Sequence, residues 1–235
     1  MNSMKLSSEN VRKAIARVNE VGFASIDLRA DLSHSLGIDL YNLMEQKSFH
    51  PSREMYYNEI AFYWPEDWHE VPESIGSFHE QKSLKHILPF SNAQQLLQDS
   101  FGDEITQAVV NFTSLVKNLI VSEHHGLLNN ELRLSRVMLR QMNARHKTSH
   151  GGSDFHEDRG YSDRPYQQLL SAIITTHGIP TTAQNFEAKV GDLLIFNAFD
   201  RRRLLGQSEE LAFVHKGPKS GPKMFFFFEF LGPRQ

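Results

Sequence analysis

The second half of the chain is a series of short apolar segments separated by turn residues, and this pattern restricts the possible folds more than any other feature. Turn signals such as Gly178-Ile179-Pro180 and Gly191-Asp192 separate the segments. The predicted strands are Leu132 to Asn143, Leu169 to Thr176, Leu193 to Phe196, Leu211 to Val214 and Met224 to Phe230. Several short strands at this spacing favour a sandwich or barrel over a parallel sheet with crossover helices.

Two of these strands also predict which way their side chains point. Side chains alternate between the two faces of a strand. In the first strand one face would carry Val137, Leu139 and Gln141, and the other Arg136, Met138, Arg140 and Met142. The run Phe225 to Phe228 is apolar at every position, which predicts a strand that is buried on both faces.

The first half of the chain predicts helices and irregular segments. An apolar stripe at helical spacing predicts a long helix from about Asp103 to Glu123, with two acidic residues in its first turn. Ser7 or Ser8 can cap an earlier helix, and Phe23 to Leu28 follows it as a strand. We expect Leu36 to Ser91, which is aromatic and only weakly periodic, to form loops and short helices over the core.

Helices followed by strands predict an α+β fold with a mainly β core. No repeat, low-complexity segment or long linker divides the chain, so we expect one domain over residues 1–235. Residues 1–130 would give helical and irregular support, and residues 131–235 most of the β core.

The composition excludes several classes of site and partner. The chain has 12 histidines and no cysteine, so a bound metal would need nitrogen and oxygen ligands. A formal net charge of -3 gives no general reason to bind nucleic acid or an anionic membrane. The first residues lack the apolar core of a secretory signal, and no segment is long and apolar enough to span a bilayer. The expected location is the cytoplasm.

His156 and Asp158 form the most informative motif. Side chains at i and i+2 of a strand point to the same side, so an imidazole and a carboxylate would face one interior point. The pair is two-thirds of a facial triad for Fe(II), which needs a second imidazole from another strand. Of the two downstream histidines, His215 ends a predicted strand and His177 adjoins a predicted turn, so His215 is the better candidate.

An exposed His and Asp in a polar loop would give the same tripeptide, but the surrounding sequence favours a metal site. A strand precedes the pair, and Gly191-Asp192 opens another. His215 follows His156 by 59 residues, and Lys223 follows His215 by eight.

In this order of motifs the sequence resembles the Fe(II)- and 2-oxoglutarate-dependent dioxygenases, broadly the phytanoyl-CoA hydroxylase and prolyl 4-hydroxylase-like groups. The resemblance covers mostly Leu132 to Leu231. It implies a double-stranded β-helix, the jelly-roll or cupin-like core, braced here by the N-terminal helices. It also implies Fe(II) held by His156, Asp158 and His215, with 2-oxoglutarate and O2 as cosubstrates and succinate and CO2 as products. Hydroxylation or a related oxidation of a small molecule is the implied reaction.

The resemblance also implies residues for the organic ligands. Lys223 takes the place of the basic residue, usually arginine, that binds the distal carboxylate of 2-oxoglutarate. Arg201, Arg202 and Arg203 are alternatives for that role, because they lie in an extra segment between Gly191 and His215. Arg140 and Asn143 are further candidates for cosubstrate binding, and the candidates for substrate contact are Arg159, Tyr161 and Tyr166.

Two other functions remain open at this point. A cupin-like metal enzyme that uses O2 or water without 2-oxoglutarate would share the metal ligands and have no need of Lys223. A non-catalytic jelly-roll binding module would need none of these residues for chemistry.

Overall fold

A computed structural model describes most of the chain. The described residues are 4–5, 7–47, 50–51, 58–64, 87–123, 132–143, 155–156, 162–163, 166–184, 186–198, 206, 208, 212–218 and 221–233. Among these residues, no helix is both long enough and apolar enough to cross a membrane.

Four α-helices lie in the first half of the described chain, and their ends follow local sequence signals. They are α1 (Ser8–Val21), α2 (Ile38–Gln46), α3 (Phe90–Phe101) and α4 (Asp103–Glu123), and a short 3-10 turn covers His34–Leu36. The Ser7 hydroxyl accepts a hydrogen bond from the Asn10 N–H at the start of α1. Gly22 ends α1 with a φ of 87°, a left-handed conformation that favours glycine. The predicted long helix is confirmed at both ends, as α4.

Thirteen strands are present in the described part of the chain. They are β1 (Met4–Lys5), β2 (Phe23–Asp27), β3 (His50–Pro51), β4 (Asn58–Tyr63), β5 (Ile87–Leu88), β6 (Arg133–Met142), β7 (Ser162–Asp163), β8 (Tyr166–Gly178), β9 (Thr182–Ala183), β10 (Phe186–Glu187), β11 (Asp192–Asn197), β12 (His215–Lys216) and β13 (Lys223–Pro233).

Ten of these strands form a large sheet and three form a small one. The main path of the large sheet has the order β1-β2-β11-β8-β13-β6-β4-β3, with β5 beside β4 and β7 beside β8. The small sheet has the order β10-β9-β12. The long central strand β13 pairs antiparallel with both β8 and β6. The prediction of a mixed α and β chain with a large, mainly β core is confirmed.

The two faces of the large sheet pack against different partners. One, which we call the helix-facing face, packs on the helices: Phe226 of β13 meets Phe112 of α4 edge to face, with ring centroids 5.5 Å apart. The other, which we call the inner face, packs on the small sheet, where Phe225 and Phe227 share an apolar cluster with Phe186. The run Phe225 to Phe228 is therefore buried on both faces, as predicted. The predicted alternation of β6 is confirmed too, with Val137 and Leu139 on the helix-facing face and Met138 and Met142 on the inner face.

Two predictions of secondary structure are wrong. Within Leu36 to Ser91, expected to hold only loops and short helices, Asn58–Tyr63 is a buried strand of the large sheet that pairs with β6 along its whole length. Ala212–Val214, predicted as part of a strand, is not one; the strand is His215–Lys216. Phe213 is buried by stacking on Phe196 at 4.6 Å between ring centroids, so its burial does not depend on strand pairing.

Candidate active site

His156 and His215 lie side by side although 59 residues separate them in the sequence. Their backbones form an antiparallel bridge in which each N–H donates to the carbonyl of the other residue at 2.9 Å. The two imidazole rings are 4.7 Å apart between centroids and inclined by 49°. Main-chain hydrogen bonds thus bring together two of the three predicted ligands.

The surroundings of His215 suit a metal ligand. Its side chain is buried, and its Nδ1 lies 3.4 Å from the carbonyl oxygen of Phe213. Donation of the Nδ1 proton to that carbonyl places the lone pair on Nε2, the arrangement usual for an imidazole that binds a metal. His177, the other downstream histidine, has its ring 5.0 Å from that of Tyr41 in α2 and pairs with Met224, whose side chain belongs to the helix-facing cluster. His215 is therefore the histidine that lies beside His156.

Lys223, at the start of β13, is the most deeply buried cation among the described residues, with 1% of its surface exposed. Its Nζ donates a hydrogen bond of 2.8 Å to the Thr181 hydroxyl and lies 4.5 Å from the centroid of the Phe225 ring. Burial, and secondly the charge of Arg140, lower the pKa of Lys223 from 10.5 to about 7. No carboxylate is among the contacts of Lys223 with the described residues.

Gly178 lets the end of β8 approach β13 closely enough to set this lysine in place. It pairs with Lys223 and adopts a φ of 82°. A Cβ atom at this position would stand 2.1 Å from the carbonyl oxygen of Pro222. Glycine is therefore required here for its left-handed backbone and for its lack of a side chain.

Arg140 lies on the inner face in an ion pair with Glu59. Its Nε donates to the Glu59 carboxylate, which is 1% exposed, whereas the Arg140 side chain is 19% exposed. Across the sheet, Arg140 lies opposite Phe225 of β13 on one side and opposite Glu59 of β4 on the other. Since Phe225 is two residues after Lys223 on the same face of β13, the ion pair lies one side-chain position along from the lysine. Asn143, the other predicted cosubstrate residue, directly follows β6 and is half-buried.

A second ion pair on the inner face joins Arg136 of β6 to Glu229 of β13. The Arg136 guanidinium donates from Nη2 to Oε1 of Glu229, and both side chains are more than nine-tenths buried. Every second residue of a strand points to the same face, and in β6 one such set is 136, 138, 140 and 142. The sequence therefore already indicated that Arg136 shares a face with Arg140.

Several predicted site residues lie outside the described residues: Asp158, Arg159, Tyr161, Arg201, Arg202 and Arg203. Tyr166 opens β8, and only its backbone is described. Within the described ranges no group of three His, Asp or Glu side chains is placed to hold a metal ion. The two imidazoles fit an ion that prefers nitrogen and oxygen ligands, and Asp158 is two residues from His156.

Thr181, Glu59 and Glu229 are the site residues that sequence reasoning missed. Thr181 lies in the connection before β9, where nothing distinguishes it from other polar loop residues. Glutamates are almost never fully buried unless they are paired, so nothing in the sequence indicates that Glu59 and Glu229 face the interior. Their burial follows from the strand register, which places Glu59 opposite Arg140 and Glu229 opposite Arg136.

Comparison with known proteins supports the fold. No protein-family model matches the sequence, and no curated protein sequence matches it. Among solved structures, a prolyl hydroxylase from Trichoplax adhaerens in complex with a hypoxia-inducible-factor peptide matches with a TM-score of 0.53 at 12% identity, covering 95% of this chain and 89% of that one.

Two further matches have lower TM-scores. A 2OG-Fe(II) oxygenase family protein from Burkholderia pseudomallei matches with a TM-score of 0.48 at 11% identity, over 98% of this chain and 96% of that one. A viral collagen prolyl hydroxylase from Paramecium Bursaria Chlorella virus-1, in complex with 2-oxoglutarate, matches with a TM-score of 0.47 at 14% identity. The match covers 89% of this chain and 95% of that one. The fold of this chain is thus similar to that of a prolyl hydroxylase, and the resemblance seen in the sequence is confirmed for the fold.

Proposed function

We propose that the protein is an Fe(II)- and 2-oxoglutarate-dependent oxygenase that hydroxylates, or oxidises in a related way, a small-molecule substrate. The observation that carries this proposal is the His156–His215 pair, joined by two backbone hydrogen bonds with the rings in contact. Lys223 on the last strand supports it, because a buried lysine without a carboxylate among its described contacts suits an anionic cosubstrate.

The order of the strands supports a closed core. The large sheet contains the neighbouring strands β11, β8, β13 and β6. The small sheet contains β10, β9 and β12, and His156 forms a bridge to β12. Apolar side chains from both sheets meet in one cluster. We propose that these strands form the double-stranded β-helix of one domain over residues 1–235.

His156, Asp158 and His215 would hold the iron. Bound Fe(II) would supply the oxidising chemistry, activating O2 as 2-oxoglutarate is decarboxylated to succinate and CO2 and the substrate gains an oxygen atom. Two neutral imidazoles and one carboxylate leave a net positive charge on such an ion, which favours binding of the dianionic cosubstrate.

Lys223 and Thr181 would bind the distal carboxylate of 2-oxoglutarate. The ammonium group would donate a charge-assisted hydrogen bond, and the hydroxyl can donate a second. Glu59 fixes the orientation of Arg140 and balances its charge, so the pocket does not present two uncompensated cations. The Phe225 ring lies 4.5 Å from the lysine Nζ and covers one side of it.

The test is to measure iron content and succinate formation in the purified protein supplied with Fe(II), 2-oxoglutarate and O2. His156→Ala and His215→Ala should each lower iron retention and succinate formation by more than about 100-fold, because each removes a ligand. His34→Ala is the matched control, since this histidine is exposed and lies far along the chain from the pair.

Wild-type protein that retains no Fe(II) and forms no succinate would contradict the proposal. Retention of iron with turnover that does not depend on 2-oxoglutarate would instead favour a cupin-like metal enzyme. The absence of any metal binding would favour a non-catalytic module.

A further inference from the structure

The imidazole of His215 packs directly on two phenylalanine rings. The ring of Phe213 stacks on it, with centroids 5.1 Å apart and planes inclined by 24°. Phe196 stacks on Phe213 at 4.6 Å and 27°, and its ring lies 5.5 Å from that of His215. The His156 ring is 4.7 Å from the same imidazole. His215 therefore contacts an aromatic cluster as well as the other histidine of the proposed site.

The aromatic cluster is anchored to the large sheet. Phe196 is 1% exposed and belongs to β11, which pairs with β2 and β8. Phe23 of β2 lies 5.1 Å from the ring of Phe213, which is itself 3% exposed. The chain beside Phe213 is held as well, because the Gln184 N–H donates to the Val214 carbonyl at 2.9 Å. The ring that stacks on the imidazole is thus fixed by its own neighbours.

Phe213 contacts His215 twice, through its ring and through its carbonyl. Because Phe213 lies outside the strands, no described backbone N–H donates to this carbonyl, and Nδ1 of His215 lies 3.4 Å from it. A hydrogen bond of this length is longer than the usual 2.7–3.2 Å, so it holds the imidazole weakly. Rotation about the last side-chain bond of a histidine has only a broad intrinsic preference. The orientation of this imidazole must therefore depend on the stacked ring.

We propose that Phe213 is a positioning residue for His215 as a metal ligand. Its carbonyl selects the imidazole form that carries hydrogen on Nδ1, and its ring fixes the plane in which the Nε2 lone pair points. Phe196 and Phe23 support this role by packing on the Phe213 ring. The inference rests on the proposed function, because it takes His215 as a ligand.

The size of the expected effect follows from the contacts. An aromatic pair of this geometry is worth about a two- to tenfold change in an equilibrium constant. Loss of a group that orients a metal ligand typically weakens metal binding by about 10- to 100-fold. Removal of the Phe213 ring alone leaves the carbonyl in place, so we expect a loss near the lower of these limits.

Titration calorimetry of the metal-free protein with Ni(II), in the absence of 2-oxoglutarate, measures the affinity of the site. Ni(II) is the probe because imidazole binds it well. Phe213→Leu removes the flat ring and should lower Ni(II) affinity by about fivefold to tenfold. If this variant does not fold, Phe213→Met takes its place, because methionine fills the volume without a flat ring.

Phe186→Leu is the matched control. Phe186 is a buried ring of the same apolar cluster, and its described ring contact is with Phe23 at 6.4 Å. The control loses the same side-chain volume as Phe213→Leu, so thermal unfolding of the two metal-free variants should show similar losses of stability. Its Ni(II) affinity should stay within about twofold of wild type, because the ring on His215 is retained.

Nuclear magnetic resonance of the metal-free protein tests the inference without any metal. Long-range proton–nitrogen correlation spectra at about pH 8, where an imidazole is neutral, show which ring nitrogen carries the hydrogen. His215 should carry it on Nδ1 in the wild type and in Phe186→Leu. In Phe213→Leu its signals should move toward the average of the two forms.

A folded Phe213→Leu variant with wild-type Ni(II) affinity would overturn the inference and leave the proposed function intact. An equal loss of affinity in Phe186→Leu would do the same, since it would show a general loosening of the core. Wild-type protein that binds no Ni(II) would contradict the proposed metal site instead. The spectra would then decide the inference, and a His215 signal that Phe213→Leu leaves unchanged would overturn it.

Discussion

The two faces of the large sheet differ in what they bury. The helix-facing face packs Phe226, Phe228 and their neighbours against apolar helix side chains. The inner face carries Phe225 and Phe227 but also buries Lys223 and the Arg136–Glu229 pair. Burying apolar surface stabilises a fold, whereas burying charge costs free energy unless it is compensated. The helix-facing face therefore maintains the fold, whereas the buried charges of the inner face suit it to binding ligands.

The largest expected effect is a loss of stability on substitution of the helix-facing face. Phe226→Ala should lower the free energy of unfolding by about 3–5 kcal/mol, because it removes a fully buried ring that packs on Phe112. Denaturant unfolding followed by circular dichroism measures the change. Phe155→Ala, at a half-exposed ring, should change stability by less than about 0.5 kcal/mol. A loss below about 1 kcal/mol in Phe226→Ala would contradict the role given to this face.

On the inner face the expected loss is in binding. Lys223→Met should weaken 2-oxoglutarate affinity by roughly 10- to 100-fold, because a charge-assisted hydrogen bond is lost. The same change should leave stability unchanged or higher, since it replaces a buried cation by an apolar side chain of similar length. Titration calorimetry and thermal unfolding measure the two effects. Lys189→Met, at an exposed loop residue, is the control. Unchanged affinity for 2-oxoglutarate would remove Lys223 from the cosubstrate site.

Titration of Lys223 should have a smaller effect. It should change the affinity for 2-oxoglutarate by up to about tenfold per pH unit. Its pKa is about 7 in the folded protein, below the ordinary 10.5, so the unfolded chain holds the proton more tightly. The contribution of Lys223 to stability should therefore rise between about pH 7 and pH 10.5. Affinity for 2-oxoglutarate should fall over the same rise in pH, because the anion binds the charged form.

Measurements between pH 7 and 9 on wild type and Lys223→Met check both trends. The variant should lose both slopes, because it removes the ammonium group that titrates in this range. Affinity that is independent of pH in the wild type would show that the lysine remains charged in its buried site.

The sequence predicted the elements whose signals are local. The limits of α4 follow from its apolar stripe and its acidic first turn, and the alternation along β6 identified its inner and helix-facing residues. The choice of His215 over His177 followed from the strand before it, although that strand itself begins later than predicted.

Features that depend on distant pairing could not be predicted. The strand β4 lies about 75 residues before its partner β6, and its aromatic neighbours obscure the alternation of its side chains. The contact of Thr181 with Lys223 depends on the close approach that Gly178 permits between β8 and β13. The burial of Glu59 and Glu229 depends on the arginines opposite them, which register alone brings into place.

The backbone bridge between His156 and His215 has an evolutionary consequence. The two histidines are joined by hydrogen bonds of their own main chains, whereas the Arg136–Glu229 pair of the inner face joins side chains of β6 and β13. Substitutions on those two strands can therefore diversify what the protein accepts while the paired histidines keep their positions. A mutant library confined to inner-face positions 136, 138, 227 and 229 is the natural starting point for evolving new specificities on this scaffold.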